Sequence, residues 1–210
     1  MASKESTGRP PADGRIRAPK PDRRRALIDA AIELFSETGE VDISAGAIAR
    51  KAGVAHGLLF YYFTDLRGLL GASLLDVMSR LGEFQAPTAE ETTARQKLEG
   101  LVSRHIEFLR RYHVPYMNLL REGVLSDPEF GEHFDRARSA GVGQVVEIIG
   151  LQQQTLPPLA RTAIQGWTGF LDSATDELLR DPDADQRAMT VVIVDVLFAA
   201  LAASGVTLSS

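Results

Sequence analysis

Cysteine is absent from the 210-residue chain. That excludes disulfide frameworks, thiolate nucleophiles and cysteine-ligated zinc or iron–sulfur centres. Long apolar runs are also missing: the longest, Val191 to Ala203, is broken by Asp195 and falls short of the roughly 18 uninterrupted apolar residues of a membrane span. No apolar segment of signal-peptide type follows the basic N-terminus, so a cytoplasmic protein with no membrane association is expected. The phosphate-cradling G-x-x-x-x-G-K-[ST], the G-x-S-x-G elbow and the H-E-x-x-H zinc pair do not occur. Gly141-Val142-Gly143 lacks the rest of a dinucleotide fingerprint and a strand before it. Neither an enzyme nor a cofactor or metal site is expected, and His105 and His113 read as ordinary helix residues and not as metal ligands.

What is present is unevenly charged. The net charge of −5 conceals a basic end: residues 1–25 hold eight Lys/Arg against three Asp/Glu, whereas 71–210 hold twelve against nineteen. Such asymmetry suits a DNA-facing end on an acidic body, and equally suits a solvated tail on a soluble body. Residues 1–21 are Pro, Gly, Ser and charge, too poor in apolar side chains to offset the entropy of ordering, and read as a disordered basic arm.

Beyond the arm, apolar residues recur at helical spacing and strand alternation is scarce, which argues an all-α fold. Asp22 is placed to cap a first helix with Leu27, Ala31, Leu34 and Phe35 on one face, stopped at Gly39. Ser44 caps a short second helix, 45–51. A third runs over 55–62, and a fourth starts at Thr64 or Asp65 and ends near Gly82. Further helices are expected at about 90–111, 115–124, 127–150, 158–180 and 185–203. The organisation is an arm (1–21), a three-helix unit (22–66) and a larger helical body (67–210).

Between Ile48 and Tyr62 the spacing fits two short helices that cross closely. Ala49 is small, Gly53 supplies the turn, and Ile48, Ala52, Val54 and Leu59 form a miniature core. A helix-turn-helix of this kind presents the front of its second helix to a major groove, although ordinary helical hairpins share the pattern. The stretch Ile48-Ala49-Arg50-Lys51-Ala52-Gly53-Val54-Ala55-His56-Gly57-Leu58-Leu59-Phe60-Tyr61-Tyr62-Phe63 resembles the signature of the TetR/AcrR family of repressors. Ala30-Ala31, Leu34-Phe35 and Gly39 resemble that family's first helix. The likeness covers about residues 24–70.

The resemblance implies a homodimer that binds palindromic double-stranded operator DNA, pairs through its last two helices, and is released by a small-molecule effector. An alternative is a regulator of the same fold controlled by a protein partner or not ligand-responsive. Carried over by position, Ala55, His56, Gly57 and Leu58 would face base edges, and Ser44, Tyr61 and Tyr62 would meet phosphates, Tyr62 being equally eligible for the core. Three departures weaken this set: Phe60 in place of a Tyr, Leu66 in place of a Lys, and Gly46 in place of a polar residue. Arg15, Arg17, Lys20, Arg23, Arg24 and Arg25 are candidates to compensate. Small residues on 158–180 and 185–203 suit a four-helix seam between two copies, or packing within one. For an effector pocket, the interleaved aromatic and polar residues His105, Phe108, Tyr112, Tyr116 and Met117, with His113 and Asn118, are candidates, joined by Trp167 and Phe170.

Overall fold

A computed structural model describes residues 22–38, 43–121, 128–152 and 154–208. Arg15, Arg17, Lys20 and Gly39 lie outside the described residues. Among those described, eight helices form the whole architecture: α1 (Arg23–Thr38), α2 (Ala45–Lys51), α3 (Gly57–Phe63), α4 (Leu66–Phe84), α5 (Ala94–Arg121), α6 (Pro128–Ile148), α7 (Pro158–Arg180) and α8 (Gln186–Ala203).

Side-chain oxygens set most helix starts, as the sequence leads one to expect. The Asp22 carboxylate accepts from the Arg24 and Arg25 N–H groups at 3.1 and 3.2 Å. Ser44 accepts from Ala47 N–H, Asp65 from Gly68 N–H, and Asp185 from the N–H groups of Arg187 and Ala188. Each satisfies donors that the first helical turn leaves free. A reciprocal box opens α5: Gln96 N–H donates to Thr93 Oγ1 while the Gln96 side chain accepts from Thr93 N–H.

One expectation needs correction. The helices expected at 90–111 and 115–124 are a single helix, α5, that continues through Pro115. An interior proline removes one hydrogen bond at a cost of about 3 kcal/mol. Packing of α5 against α1, α4, α6, α7 and α8 outweighs that cost.

Two apolar clusters result. The first joins Leu27, Ala31 and Phe35 of α1, Ile48 of α2, Leu59 and Phe63 of α3, and Leu69, Leu74, Val77 and Leu81 of α4, and reaches Phe108 and Leu109 of α5. The second is built by α5–α8 around Leu98, Ile106, Val145, Ile164, Trp167, Ile193 and Leu197. Helix α4 lies against α1 and α3 on one side and against α5 and α6 on the other. A cluster of ion pairs pins α1 to α4: Arg25 contacts Asp29 and Asp76, and Arg80 contacts the same two carboxylates. Arg25 is thereby held in the fold and withdrawn from the cations considered for DNA.

Asp76→Ala leaves two guanidinium groups short of a partner on a half-buried seam. It should lower the unfolding free energy by about 1–2 kcal/mol, measured by urea denaturation. An unchanged midpoint would show that the cluster adds no stability.

Candidate DNA-binding face and internal cavity

The second helix ends in a paired hydrogen-bond pattern. Gly53 N–H donates to Arg50 O at 3.2 Å and Val54 N–H to Ala49 O at 3.0 Å, with Gly53 at φ 66°. This is the left-handed stop that glycine adopts without steric cost. It turns the chain into α3, whose inner face buries Leu59 and Phe63. The outer face carries Phe60, Tyr61 and Tyr62, of which Tyr61 is 79% exposed. At the far end of α3 the chain turns through Thr64 (φ 65°), a conformation unusual for a β-branched residue. Gly68 then packs so closely under the Phe63 carbonyl that a Cβ would overlap it.

The structure differs from the sequence expectation for this face in two details. Ala55 and His56 lie in the turn ahead of α3, which begins at Gly57. Leu58 is half-buried, while Ala55, His56 and Gly57 are exposed. Tyr62, eligible for core or surface, is exposed. His56 meets the Phe60 ring edge-on at 5.1 Å, and Tyr61 and Tyr62 meet at 5.1 Å. Ser44, at the start of α2, is exposed, and its hydroxyl proton remains available because the oxygen acts as acceptor in the cap. Arg23 is exposed; Arg24 lies over the Phe63 ring at 5.1 Å, which brings a cation to the end of α3.

In the body, α4, α5, α6 and α7 surround a cavity of about 470 Å³. Leu75, Met78, Leu101, Val145, Trp167 and Leu171 supply its apolar wall. One end is polar: Gln85, His105, Arg138, Thr168 and Asp172. The Gln85 amide N–H donates to His105 Nδ1 at 2.9 Å, so the ring proton resides on Nε2. Nε2 faces Asp172 Oδ1 at 3.5 Å, too far for a good hydrogen bond, and has no hydrogen-bond partner. Arg138 approaches Asp172 Oδ2 at 3.4 Å and donates to Thr168 Oγ1 at 3.1 Å. Arg104, paired with Glu91, reaches the Gln85 carbonyl and holds that turn. Trp167 spends its N–H on the Ile193 carbonyl at 2.7 Å, so its hydrogen-bonding capacity is used within the fold.

Of the residues anticipated for a pocket, His105 and Trp167 are on the cavity wall and Phe108, Tyr112 and Phe170 are not. Phe108 stacks on Tyr112 at 4.6 Å and belongs to the first apolar cluster, because α5 turns that stripe toward α4 and α1. Phe170 is 38% exposed on α7. The side chains of His113, Tyr116, Met117 and Asn118 lie outside the described residues. Sequence reasoning missed Gln85, Arg138, Thr168 and Asp172. A signal existed for the last two: Thr168 and Asp172, four apart, interrupt the apolar face of α7 that carries Trp167 and Leu171.

Comparison with known proteins agrees with this arrangement. Residues 27–73 match the family model described as bacterial regulatory proteins, tetR family. The HTH-type transcriptional regulator BetI of Escherichia coli O139:H28 (strain E24377A / ETEC) is 36% identical over 88 residues, 40% of this chain and 45% of its own length. BetI of Klebsiella pneumoniae (strain 342) is 35% identical over 91 residues, 42% and 47%. The chain thus spans about half the length of the curated relatives it matches. A tetR-family transcriptional regulator from Streptomyces coelicolor superposes with TM-score 0.72 at 21% identity, over 87% of this chain and 82% of that one. The fatty acid degradation regulator FadR from Bacillus halodurans does so with TM-score 0.61 at 23% identity, over 85% and 95%. At such identities the structural likeness speaks for the fold.

Burial pushes the His105 imidazole down to about 3 from its usual 6.5. The folded ring therefore stays neutral where an unfolded one takes up a proton, and the unfolded state gains protons as pH falls below 6.5. His105→Gln, which cannot charge, should lose less stability than the parent between pH 6.5 and 3 in thermal melts. Parallel curves would refute this source of acid sensitivity.

Proposed function

We propose, from the match of residues 27–73 to the tetR family of bacterial regulatory proteins, that the chain is a regulator of that family and a homodimeric repressor. It binds a palindromic operator through α2 and α3 and leaves the DNA when a small, mostly apolar molecule enters the cavity. The observation that carries the reading is the outer face of α3. Phe60, Tyr61 and Tyr62 are left uncovered beside Ser44 and His56, where a compact domain without a partner has no reason to expose aromatic side chains in a row.

His56 is the side chain suited to a base edge, a guanine acceptor being within its chemistry. Ala55, Gly57 and Leu58 would pass close to the bases, with Leu58 or Ala55 against a thymine methyl. Ser44, Tyr61 and Tyr62 would bond phosphates. Phe60, Leu66 and Gly46 supply no such bond, so Arg23, Arg24 and the basic residues of 1–21, Arg17 and Lys20 among them, would carry more of the backbone contact.

Dimerisation through α7 and α8 is supported by what these helices leave bare. Val191, Val192 and Val196 on α8 and Leu159 and Phe170 on α7 are exposed. Gly166 and Gly169 have open space where a Cβ would stand, so packing within the chain does not demand glycine there. Helix α8 is long and apolar enough to cross a membrane. Against that use, Asp195 pairs with Arg95 at 2.9 Å, and Ile193, Val194 and Leu197 are already buried in the body. A second copy of the same pair of helices would cover the rest, giving the two-fold symmetry that a palindrome matches.

Release follows from the position of α4. Leu75, Met78 and Leu81 line the cavity, and Asp76 and Arg80 on the same turns hold α1. A ligand that favours a shifted α4 shifts the spacing of the two DNA-binding heads. The open cavity favours this over control by a protein partner. Such a regulator would act in the cytoplasm.

Binding to DNA upstream of its own gene should appear in a gel-shift assay, and its absence there and on random duplex would overturn the proposal. Deleting residues 1–21 should weaken binding and flatten the dependence of affinity on salt; an unchanged salt slope would remove the arm from the interface. Val192→Asp together with Val196→Asp should give a monomer by light scattering, with operator affinity lost in parallel. A variant that stays dimeric would exclude this seam.

A further inference from the structure

The C-terminal end of α4 is fastened to α5 from two sides. Gln85, the residue that closes α4, is buried and donates its side-chain N–H to His105 Nδ1 at 2.9 Å. Its main-chain carbonyl is reached by Arg104 at 3.4 Å. Arg104 is itself held by both oxygens of Glu91, at 2.7 and 3.0 Å, and Glu91 accepts from Thr88 N–H at 2.9 Å, which folds the 85–93 connection back on α5.

Two features set this clamp apart from ordinary packing. An amide buried among apolar side chains costs free energy unless it is bonded, and a leucine or methionine would fill the same space without that requirement. What the amide adds is direction: its bond to the neutral His105 ring is made over a narrow range of distance and angle. The second feature is Gly100, in the interior of α5. A Cβ there would overlap the Glu91 carboxylate and stand 2.9 Å from the Arg104 guanidinium. Glycine weakens a helix interior, and here that loss is the condition for Glu91 to cross α5 and hold Arg104.

The fastened end belongs to the helix that carries the DNA-binding face. Nine residues back from Gln85, about 14 Å at 1.5 Å per residue, Asp76 contacts Arg25 of α1, and between them Arg80 contacts Asp29. Any turn of α4 about its far end is passed through these ion pairs to α1 and the α2–α3 unit. Gln85 also lines the cavity, so a molecule filling that space stands against the amide.

We propose that Gln85 is the positioning residue of the DNA-binding unit: its bonds to His105 and Arg104 keep α4 where it lies, and their loss turns α1–α3 relative to the body. This rests on the reading above in which α4 links cavity and operator, and it makes release a matter of one amide on the cavity wall.

Because the chain has no cysteine, Ser36→Cys on α1 and Glu147→Cys on α6, both at exposed positions, give two spin-label sites on the full-length protein. Labelled chains diluted in unlabelled ones report the distance between head and body within one chain by pulsed electron resonance. Gln85→Met, which keeps the length and loses the amide, should shift that distance by about 2 Å or broaden it visibly. It should also weaken operator binding about tenfold in the gel shift, the factor that one well-placed hydrogen bond commonly supplies. Gly100→Ala, which drives Glu91 off Arg104, should act in the same direction and keeps the test open if Gln85→Met does not fold. Ile164→Val, a core truncation on α7 away from the cavity wall, should lower the melting temperature and leave the distance unchanged. A folded Gln85→Met with the parent's distance would overturn the proposal, as would an equal shift in Ile164→Val. Loss of the fold in both clamp variants would make the clamp a purely structural one and overturn it too. A shifted distance in a chain whose parent binds no DNA would uphold the clamp and overturn the operator reading instead.

Discussion

Two aspartates, Asp29 on α1 and Asp76 on α4, face two arginines, Arg25 and Arg80, at the seam where the N-terminal helices meet the body. Each carboxylate touches both guanidinium groups, so no charge in the set depends on a single partner. Asp29 is held below its usual range by these arginines despite the opposing effect of burial. The apolar contacts around the seam, Leu27 and Ala31 against Leu74 and Val77, are not directional and would tolerate sliding. The ion pairs are directional, and they fix the register of α1 along α4. The position of the α2–α3 unit relative to the body follows from that register.

Helix α4 is therefore shared property. Its buried residues Leu69, Leu74, Val77 and Leu81 complete the first apolar cluster, while Leu75, Met78, Ser79 and Gly82 turn toward the cavity. Gln144 of α6 donates to the Gly82 carbonyl at 3.3 Å, tying the end of α4 to the cavity's far wall. A displacement of that wall has a short mechanical route to α1. The route is a rigid helix with ion pairs on one side and the cavity on the other, which is the kind of element that can carry coupling between sites.

Much of this was legible in the chain because it is local. Caps at Asp22, Ser44 and Asp65, the turn at Gly53 and the apolar stripes of α1 and α4 each rest on a few neighbouring residues, and each is found in the fold. The surface of α3 was legible for the same reason. What failed was non-local. The break expected between 111 and 115 does not occur, and α5 runs on through Pro115 packed against five other helices. The aromatic stripe of Phe108 and Tyr112 reads as a pocket until the rotation of α5 is known, and that rotation carries it to the opposite cluster. Arg25 reads as one more arm cation until Asp76, 51 residues away, is beside it. Gln85 and Asp172 come to stand beside His105 only because three separate segments converge.

The convergence has an energetic consequence. The space of about 470 Å³ opens to solvent, so in solution water fills it unless another molecule does. Water can satisfy the polar end, where Asp172 and Arg138 offer donors and acceptors, yet against Leu75, Met78, Leu101 and Leu171 it finds few partners. An apolar molecule gains by displacing that water, at roughly 25 cal/mol for each Å² of apolar surface covered. Affinity alone would move nothing. Only the part of the gain that differs between two positions of α4 can reach the DNA-binding face, and changing a population ratio from 1:99 to 99:1 requires a difference of about 5.5 kcal/mol. The polar end is where such a difference can arise. A hydrogen bond to a buried, neutral imidazole is lost when its distance grows by less than an ångström, whereas apolar contact declines gradually. The buried histidine thus supplies the sharp dependence on geometry that the aliphatic wall lacks.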